Sequence, residues 1–74
     1  MPRIGPLPAR RVLKALESLG FQAVRQKGSH VMLQHPDGRS TVVPVHPSRD
    51  VHPGLLRKII KDAGLSVEEF MDMA

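Results

Sequence analysis

Cysteine, tryptophan and tyrosine are absent from this 74-residue sequence, and phenylalanine occurs only twice. The absence of cysteine excludes disulfide bonds, thiolate metal sites and cysteine nucleophiles. The scarcity of aromatic rings disfavours a stacking platform for single-stranded bases, which usually needs several of them. No apolar run approaches the roughly 18 residues of a membrane-spanning helix, and the N-terminal residues lack the apolar stretch of a secretory signal. We therefore expect an intracellular protein without a membrane partner.

Acidic residues are also few. Seven Asp and Glu residues stand against 11 Lys and Arg residues, which gives a formal net charge of +4 with neutral histidines. This excess of positive charge is typical of proteins that bind a polyanion such as nucleic acid. The alternative interpretation is an ordinary soluble surface with surplus Lys and Arg. Hydrophobic residues make up 41% of the chain and charged residues 24%, which predicts a folded chain rather than a disordered one.

The length predicts one small domain. Three prolines and a glycine fall within residues 1–8, and we read this segment as a lead-in without secondary structure. Residues 9–74 then form the single predicted domain.

Three helices are predicted from local patterns. Apolar residues recur at helical spacing from Ala9 to Leu19, and Gly20 follows at the position where a left-handed residue ends a helix. A second helix is predicted to begin at Pro53. The segment Ser66–Glu69 has the spacing of a capping box, which opens a short third helix.

Three strands are predicted between the first two helices, at 21–27, 29–35 and 39–45. The links Lys27-Gly28-Ser29 and His35-Pro36-Asp37-Gly38 favour tight turns, because both contain Gly and the second also contains Pro. Strands joined by such short links form an antiparallel meander.

The predicted fold class is therefore α+β, in the order α-β-β-β-α with a short C-terminal helix. A three-stranded antiparallel sheet must cover its apolar face, and two amphipathic helices are available to cover it. This is the architecture of double-stranded-RNA-binding-like domains, and architecture alone does not give a function.

Four histidines are candidates for chemistry. His30 and His35 are five positions apart, and an odd separation puts side chains on opposite faces of a regular strand. Because a metal site usually needs three or four convergent ligands, we expect no metal and no cofactor. His35 and His52 stand in a turn and at a helix entry, which favours structural or solvent-facing roles. The fourth is His46, in the loop before the second helix.

The triplet Gly28-Ser29-His30 is the most informative motif. Gly28 allows the backbone to turn and to approach a ligand closely. Ser29 offers a hydroxyl group, and His30 offers an imidazole, the side chain best suited to acid–base chemistry at neutral pH.

Strand alternation predicts where the His30 side chain points. If Val31 and Leu33 face the helices, His30 points away from the core. Arg25 and Lys27 lie just upstream on the neighbouring strand. An exposed histidine beside cations suits a phosphodiester site, and the same pattern fits an ordinary surface histidine in a turn.

Longer runs of the sequence carry a more specific signal. They are Gly20-Phe21, Arg25-Gln26-Lys27-Gly28-Ser29-His30, His35-Pro36-Asp37-Gly38, Val43-Pro44-Val45-His46 and the segment from Pro53 to Leu65. Together they resemble the HicA toxins of prokaryotic toxin–antitoxin modules, over roughly residues 9–70.

The resemblance implies a double-stranded-RNA-binding-like fold, the toxin role of a type II toxin–antitoxin system, and endoribonuclease activity on messenger RNA in a prokaryotic cytoplasm. It also implies an antitoxin partner of the HicB type. The family's catalytic histidine falls on His30. His46 matches the family's Pro-x-His segment. Three roles are possible for it: a second proton-transfer group, a phosphate contact or an anchor of the loop.

The predicted mechanism is metal-independent cleavage with His30 as general acid or base. Accessory roles are predicted for Ser29, Lys27 and His46, and phosphate contacts for Arg25, Lys27, Arg57 and Lys58. Two alternatives remain: a non-catalytic RNA-binding module of the same fold, and an adaptor whose exposed sheet face docks a protein.

Overall fold

The computed structural model describes residues 4–74. Strands β2, β3 and β4 form an antiparallel sheet in that order, and β1 pairs with β5 in a separate two-stranded sheet. The elements are β1 Leu7–Pro8, α1 Ala9–Ser18, β2 Gln22–Lys27, β3 His30–Gln34, β4 Ser40–Pro44, β5 Asp50–Val51, α2 Pro53–Asp62 and α3 Val67–Met73. The predicted α+β layout, with its three-stranded sheet and short C-terminal helix, is confirmed.

The end of α1 is set by Gly20. This residue has a φ of +100°, a conformation that side chains with a Cβ rarely adopt. The His35 ring also packs so closely that a Cβ on Gly20 would lie 2.7 Å from its Nε2 atom. Any other residue at this position would therefore strain both the backbone and the packing.

The starts of α2 and α3 follow the capping rules. The backbone N–H of Leu55 donates to Nδ1 of His52 at 3.2 Å, and Pro53 occupies the first turn. Ser66 and Glu69 form the predicted capping box, with reciprocal hydrogen bonds of 3.1 and 3.0 Å. The Ser66 N–H that donates to the Glu69 carboxylate lowers the pKa of that carboxyl group.

The core lies between one face of the three-stranded sheet and the helices. Val31 and Leu33 of β3 are buried, whereas the alternate residues His30 and Met32 are exposed, as strand alternation predicts. Full burial of each aliphatic side chain contributes about 1.5–3 kcal/mol. The largest fully buried side chains are Phe21, Phe70, Leu16, Leu33, Leu56, Ile59, Val12 and Val43.

The segment before α1 takes part in the fold. Ile4 is buried in the core, and Leu7 and Pro8 of β1 pair with Val51 and Asp50 of β5. The prediction that this segment lacks secondary structure is therefore wrong for Leu7–Pro8, and residues 1–3 of the predicted lead-in lie outside the described residues. Proline lacks an N–H, but it is tolerated in so short a strand at a sheet edge. Local patterns did not reveal this pairing because β5 is more than 40 residues away in the sequence.

Arg39 ties the β3–β4 turn to the end of α2. Its Nη1 donates to the carbonyl of Ala63 at 2.7 Å, and its Nε donates to the Asp37 carboxylate at 2.8 Å. Its guanidinium carbon lies 5.3 Å from the centroid of the Phe21 ring, within cation–π range. The hydrogen bond from Arg39 lowers the pKa of Asp37 to about 2.

His35 has a structural role in the same turn, as its position in the sequence favours. Its ring packs edge-on against Phe21, and its Nδ1 accepts the backbone N–H of Asp37.

Thr41 is buried on the core face of the sheet with its hydroxyl unsatisfied. Its side-chain oxygen has no hydrogen-bond partner among the described residues, and an unsatisfied buried polar group costs about 1–3 kcal/mol. Thr41→Val keeps the branched shape, so we expect its free energy of unfolding to rise by about 1 kcal/mol or more. Urea denaturation measures this change. Thr41→Ser is the control and should destabilise, and a Thr41→Val chain less stable than wild type would contradict the interpretation.

Candidate active site

The sheet face opposite the helices carries the candidate site. His30 and Met32 point to this outer face from β3, and Val42 of β4 lies directly opposite Met32. Met32 and Val42 are 42% and 39% exposed. Exposed apolar side chains beside a titratable group suggest a surface that contacts another molecule.

A β-bulge aims two cations at the same face. The pairing between β2 and β3 shifts by one residue between Ala23 and Arg25, which leaves Val24 as the extra residue. If β2 continued without a bulge from the pair Ala23–Leu33, strand alternation would turn Arg25 and Lys27 toward the helix side of the sheet. With the bulge, Arg25 lies opposite Met32 and Lys27 lies opposite His30.

These side chains enclose a shallow pocket of about 320 Å³, which we call the outer-face pocket. It is lined by Arg25, Lys27, His30, Met32 and Val42. Neither Arg25 nor Lys27 forms an ion pair with another of residues 4–74. The pocket therefore offers two uncompensated positive charges and one imidazole to an incoming anion.

The four histidines fall into two groups. His35 and His52 use their imidazoles to bond backbone N–H groups of their own turn and helix. The side chains of His30 and His46 form no hydrogen bond within the described part of the chain, and both are exposed. Only His30 lines the outer-face pocket.

The turn before β3 holds His30 at its position. Gly28 has a φ of +58°, and its carbonyl accepts a hydrogen bond from the Gln26 side chain at 3.1 Å. The Ser29 carbonyl accepts the backbone N–H of Val45, which fixes the turn against the end of β4. Ser29 is partly buried and does not line the outer-face pocket.

The remaining predicted residues lie elsewhere. Arg57 and Lys58 are exposed on α2, which packs its buried residues on the core side, and neither lines the outer-face pocket. His46 lines other pockets, in the loop after β4. Their roles toward RNA stay predictions.

Two lining residues were not among the sequence-predicted site residues. Met32 and Val42 share the outer face because each stands at an alternate position of its strand, and this alternation is visible in the sequence. The alternation that turns His30 outward also places Met32 on this face, as an apolar neighbour for a protein partner, whereas Val42 was missed because an apolar residue in a strand usually packs in a core.

Groups of acidic residues and histidines that could hold a metal ion are not found among residues 4–74. No helix in that range has the length and apolar character needed to cross a membrane.

Comparison with models of known protein families identifies the family of this chain. The profile of the family described as the HicA toxin of bacterial toxin–antitoxin matches residues 9–65, well over half of the chain. No curated protein matches the sequence. The matched segment begins with α1 and ends just after α2, so it includes the whole three-stranded sheet and the outer-face pocket. The chain belongs to the HicA family of toxins from bacterial toxin–antitoxin systems.

Proposed function

We propose that the protein is an endoribonuclease toxin that cleaves messenger RNA at the outer-face pocket, with His30 as general acid or base. The observation that supports the proposal most directly is the environment of the His30 side chain. Its imidazole is exposed and unbonded within the described chain, and it stands directly opposite Lys27 in a pocket that also contains Arg25. Membership of a toxin family supports the role.

RNA supplies its own nucleophile for this chemistry, the 2′-hydroxyl. The 2′-oxygen forms a bond to phosphorus, the bond from phosphorus to the 5′-oxygen breaks, and the products are a 2′,3′-cyclic phosphate and a 5′-hydroxyl. One proton leaves the 2′-oxygen and one reaches the departing 5′-oxygen. His30 carries out one of these transfers, which typically accelerates a reaction by about 10²–10⁴-fold.

Arg25 and Lys27 act on the charge of the phosphate. Negative charge builds on the phosphoryl oxygens as the 2′-oxygen attacks, and cations fixed beside them stabilise that charge. Guanidinium groups can also bind phosphate through two parallel hydrogen bonds. The bulge at Val24 contributes to function because it places both cations on the His30 face.

The presence of a single imidazole in the pocket favours one alternative, a non-catalytic RNA-binding module. In such a module the basic side chains would contact the phosphates and 2′-hydroxyl groups, so that the protein recognises the shape of the RNA and cleaves nothing. RNA cleavage that depends on His30 separates the two functions.

We propose that the reaction needs no metal ion, since the sequence contains no cysteine and the histidines are not spaced as a ligand set. Cleavage is therefore expected to continue at an unchanged rate in excess EDTA. The measurement is the initial rate of cleavage of a labelled RNA before and after chelation. Complete loss of activity that a divalent ion restores would contradict the metal-free mechanism.

The partner we propose is an antitoxin of the HicB type that covers the outer face. The apolar residues Met32 and Val42 are exposed there, and apolar side chains form the dry centre of protein interfaces. Arg25 and Lys27 would attract an acidic partner and speed the encounter.

Titration of the toxin with its antitoxin is expected to abolish cleavage at one-to-one stoichiometry. Hydrogen exchange of the complex should protect β2 and β3. Protection confined to α1, with β2 and β3 still exchanging as in the free toxin, would contradict direct covering.

A further inference from the structure

A second and larger pocket lies outside the outer-face pocket. It has a volume of about 470 Å³, and we call it the loop pocket. One wall is the start of α1, residues 8–10, and the other is the loop 45–50 that follows β4.

The walls of the loop pocket are fixed by the pairing of two short strands. Leu7 pairs with Val51 and Pro8 pairs with Asp50, which joins the start of α1 to the end of the loop. Within the loop, the N–H of Arg49 donates to the carbonyl of His46 at 3.1 Å. These backbone contacts hold the two walls of the loop pocket together.

The lining of the loop pocket has the chemistry of a phosphate site. Arg10 and Arg49 both line it, and neither forms an ion pair within residues 4–74. Asp50 brings one negative charge against these two positive ones, so the formal charge of the lining is +1 with neutral His46. Two guanidinium groups around one pocket repel each other, and an anion between them removes that repulsion. Ser48 and His46 add hydrogen-bonding groups.

The loop pocket also lies near His30. His30 is paired with Pro44, so their Cα atoms are about 4.5–5.5 Å apart. His46 is two residues beyond Pro44, which adds at most about 7 Å. The two histidine Cα atoms are thus within about 13 Å of each other. A smaller pocket of about 210 Å³ contains Pro44, His46 and Arg49 and continues from this strand end toward the loop pocket.

We propose that the loop pocket binds a phosphate group of the RNA strand, close to the one cleaved at His30, with Arg10 and Arg49 as its principal ligands. His46 acts there as a phosphate contact. The inference rests on the proposed function, because RNA is the ligand. The loop pocket holds the strand while the outer-face pocket performs the reaction.

The test measures the affinity of single-stranded RNA for the full chain at a series of salt concentrations. The RNA carries 2′-O-methyl groups, which block attack by the 2′-oxygen, so binding is measured without cleavage. Arg10→Ala and Arg49→Ala are compared with Arg11→Ala. Arg11 is the matched control, because it is the next exposed arginine of α1 and lines a different pocket. Circular dichroism verifies that all variants are folded.

Arg10→Ala and Arg49→Ala are each expected to weaken binding several-fold. Each should also reduce the magnitude of the slope of log affinity against log salt by about 0.7, the value for one lost phosphate contact on a single strand. Arg11→Ala should leave the slope unchanged. With an RNA too short to reach beyond the outer-face pocket, all three variants should bind like wild type.

Equal effects from all three arginines would show a general charge effect and overturn the inference, as would no effect from any of them. The proposed function is judged separately, by whether the wild-type chain cleaves unmodified RNA and whether His30→Ala abolishes that cleavage. A wild-type chain that cleaves RNA while Arg10→Ala and Arg11→Ala bind alike overturns the inference alone. A wild-type chain that neither binds nor cleaves RNA overturns both.

Discussion

Replacing His30 by alanine is expected to abolish RNA cleavage and toxicity while the protein stays folded. Removal of a general acid or base typically lowers a rate by about 10²–10⁴-fold. The side chain is exposed and forms no hydrogen bond within the described chain, so the melting temperature should barely change. The measurements are the initial rate on a labelled RNA, cell growth after induced expression, and thermal unfolding.

A histidine outside the pocket provides the control for this substitution. His52→Asn removes an imidazole but keeps the helix cap, because asparagine is a good N-cap residue. This variant should cleave RNA like wild type. A His30→Ala protein that cleaves at the wild-type rate would contradict the assignment. If His30→Ala does not fold, His30→Gln provides the same test with a larger polar side chain.

Reversing the charge of Lys27 is expected to produce the second largest loss of activity. Lys27 lies directly opposite His30, so Lys27→Glu places a carboxylate beside the reacting phosphate. Loss of one group that stabilises transition-state charge typically costs about 10²–10³-fold in rate, and the added repulsion increases the loss. The measurement is the rate of cleavage at saturating RNA, which separates the chemical step from weaker binding.

Lys14→Glu is the matched control for Lys27→Glu. Lys14 is also exposed, but it lies on α1 and does not line the outer-face pocket, and the change in net charge is the same. It should retain nearly all activity at saturating RNA. Equal losses from the two variants would mean that total charge, rather than the position of Lys27, governs the reaction.

Much of the fold could be predicted because its signals are local. The apolar spacing of the helices, Gly20 at the end of α1 and the capping box at Ser66 depend only on residues a few positions apart. The orientation of His30 also follows from alternation with Val31 and Leu33, which are buried.

The bulge at Val24 could not be predicted from these signals. Nothing in the sequence of β2 marks an extra residue, since all six residues of the strand are exposed and no apolar alternation fixes its register. The presence of Arg25 and Lys27 near His30 was therefore predictable, whereas the β-bulge that turns both side chains to the His30 face was not.

The pairing of β1 with β5 was also outside the reach of local patterns. Each strand has two residues, and the pair joins distant parts of the chain. As a result, the proximity of Arg10 and Arg49 in the loop pocket had no signal in the sequence. The segment 1–8 was predicted to lack secondary structure because its prolines are typical of loops.

Cleavage of RNA by its own 2′-oxygen, with the help of His30, leaves characteristic product ends. The most direct measurement is mass spectrometry of the product ends from an RNA with a known cleavage site, and from the same RNA with one 2′-deoxy nucleotide at that site. The wild-type chain should leave a 2′,3′-cyclic phosphate and a 5′-hydroxyl on the unmodified RNA and should not cut the deoxy-substituted site, and His30→Ala should produce neither end. Cleavage at the deoxy-substituted site, or products with 5′-phosphate ends, would contradict the account.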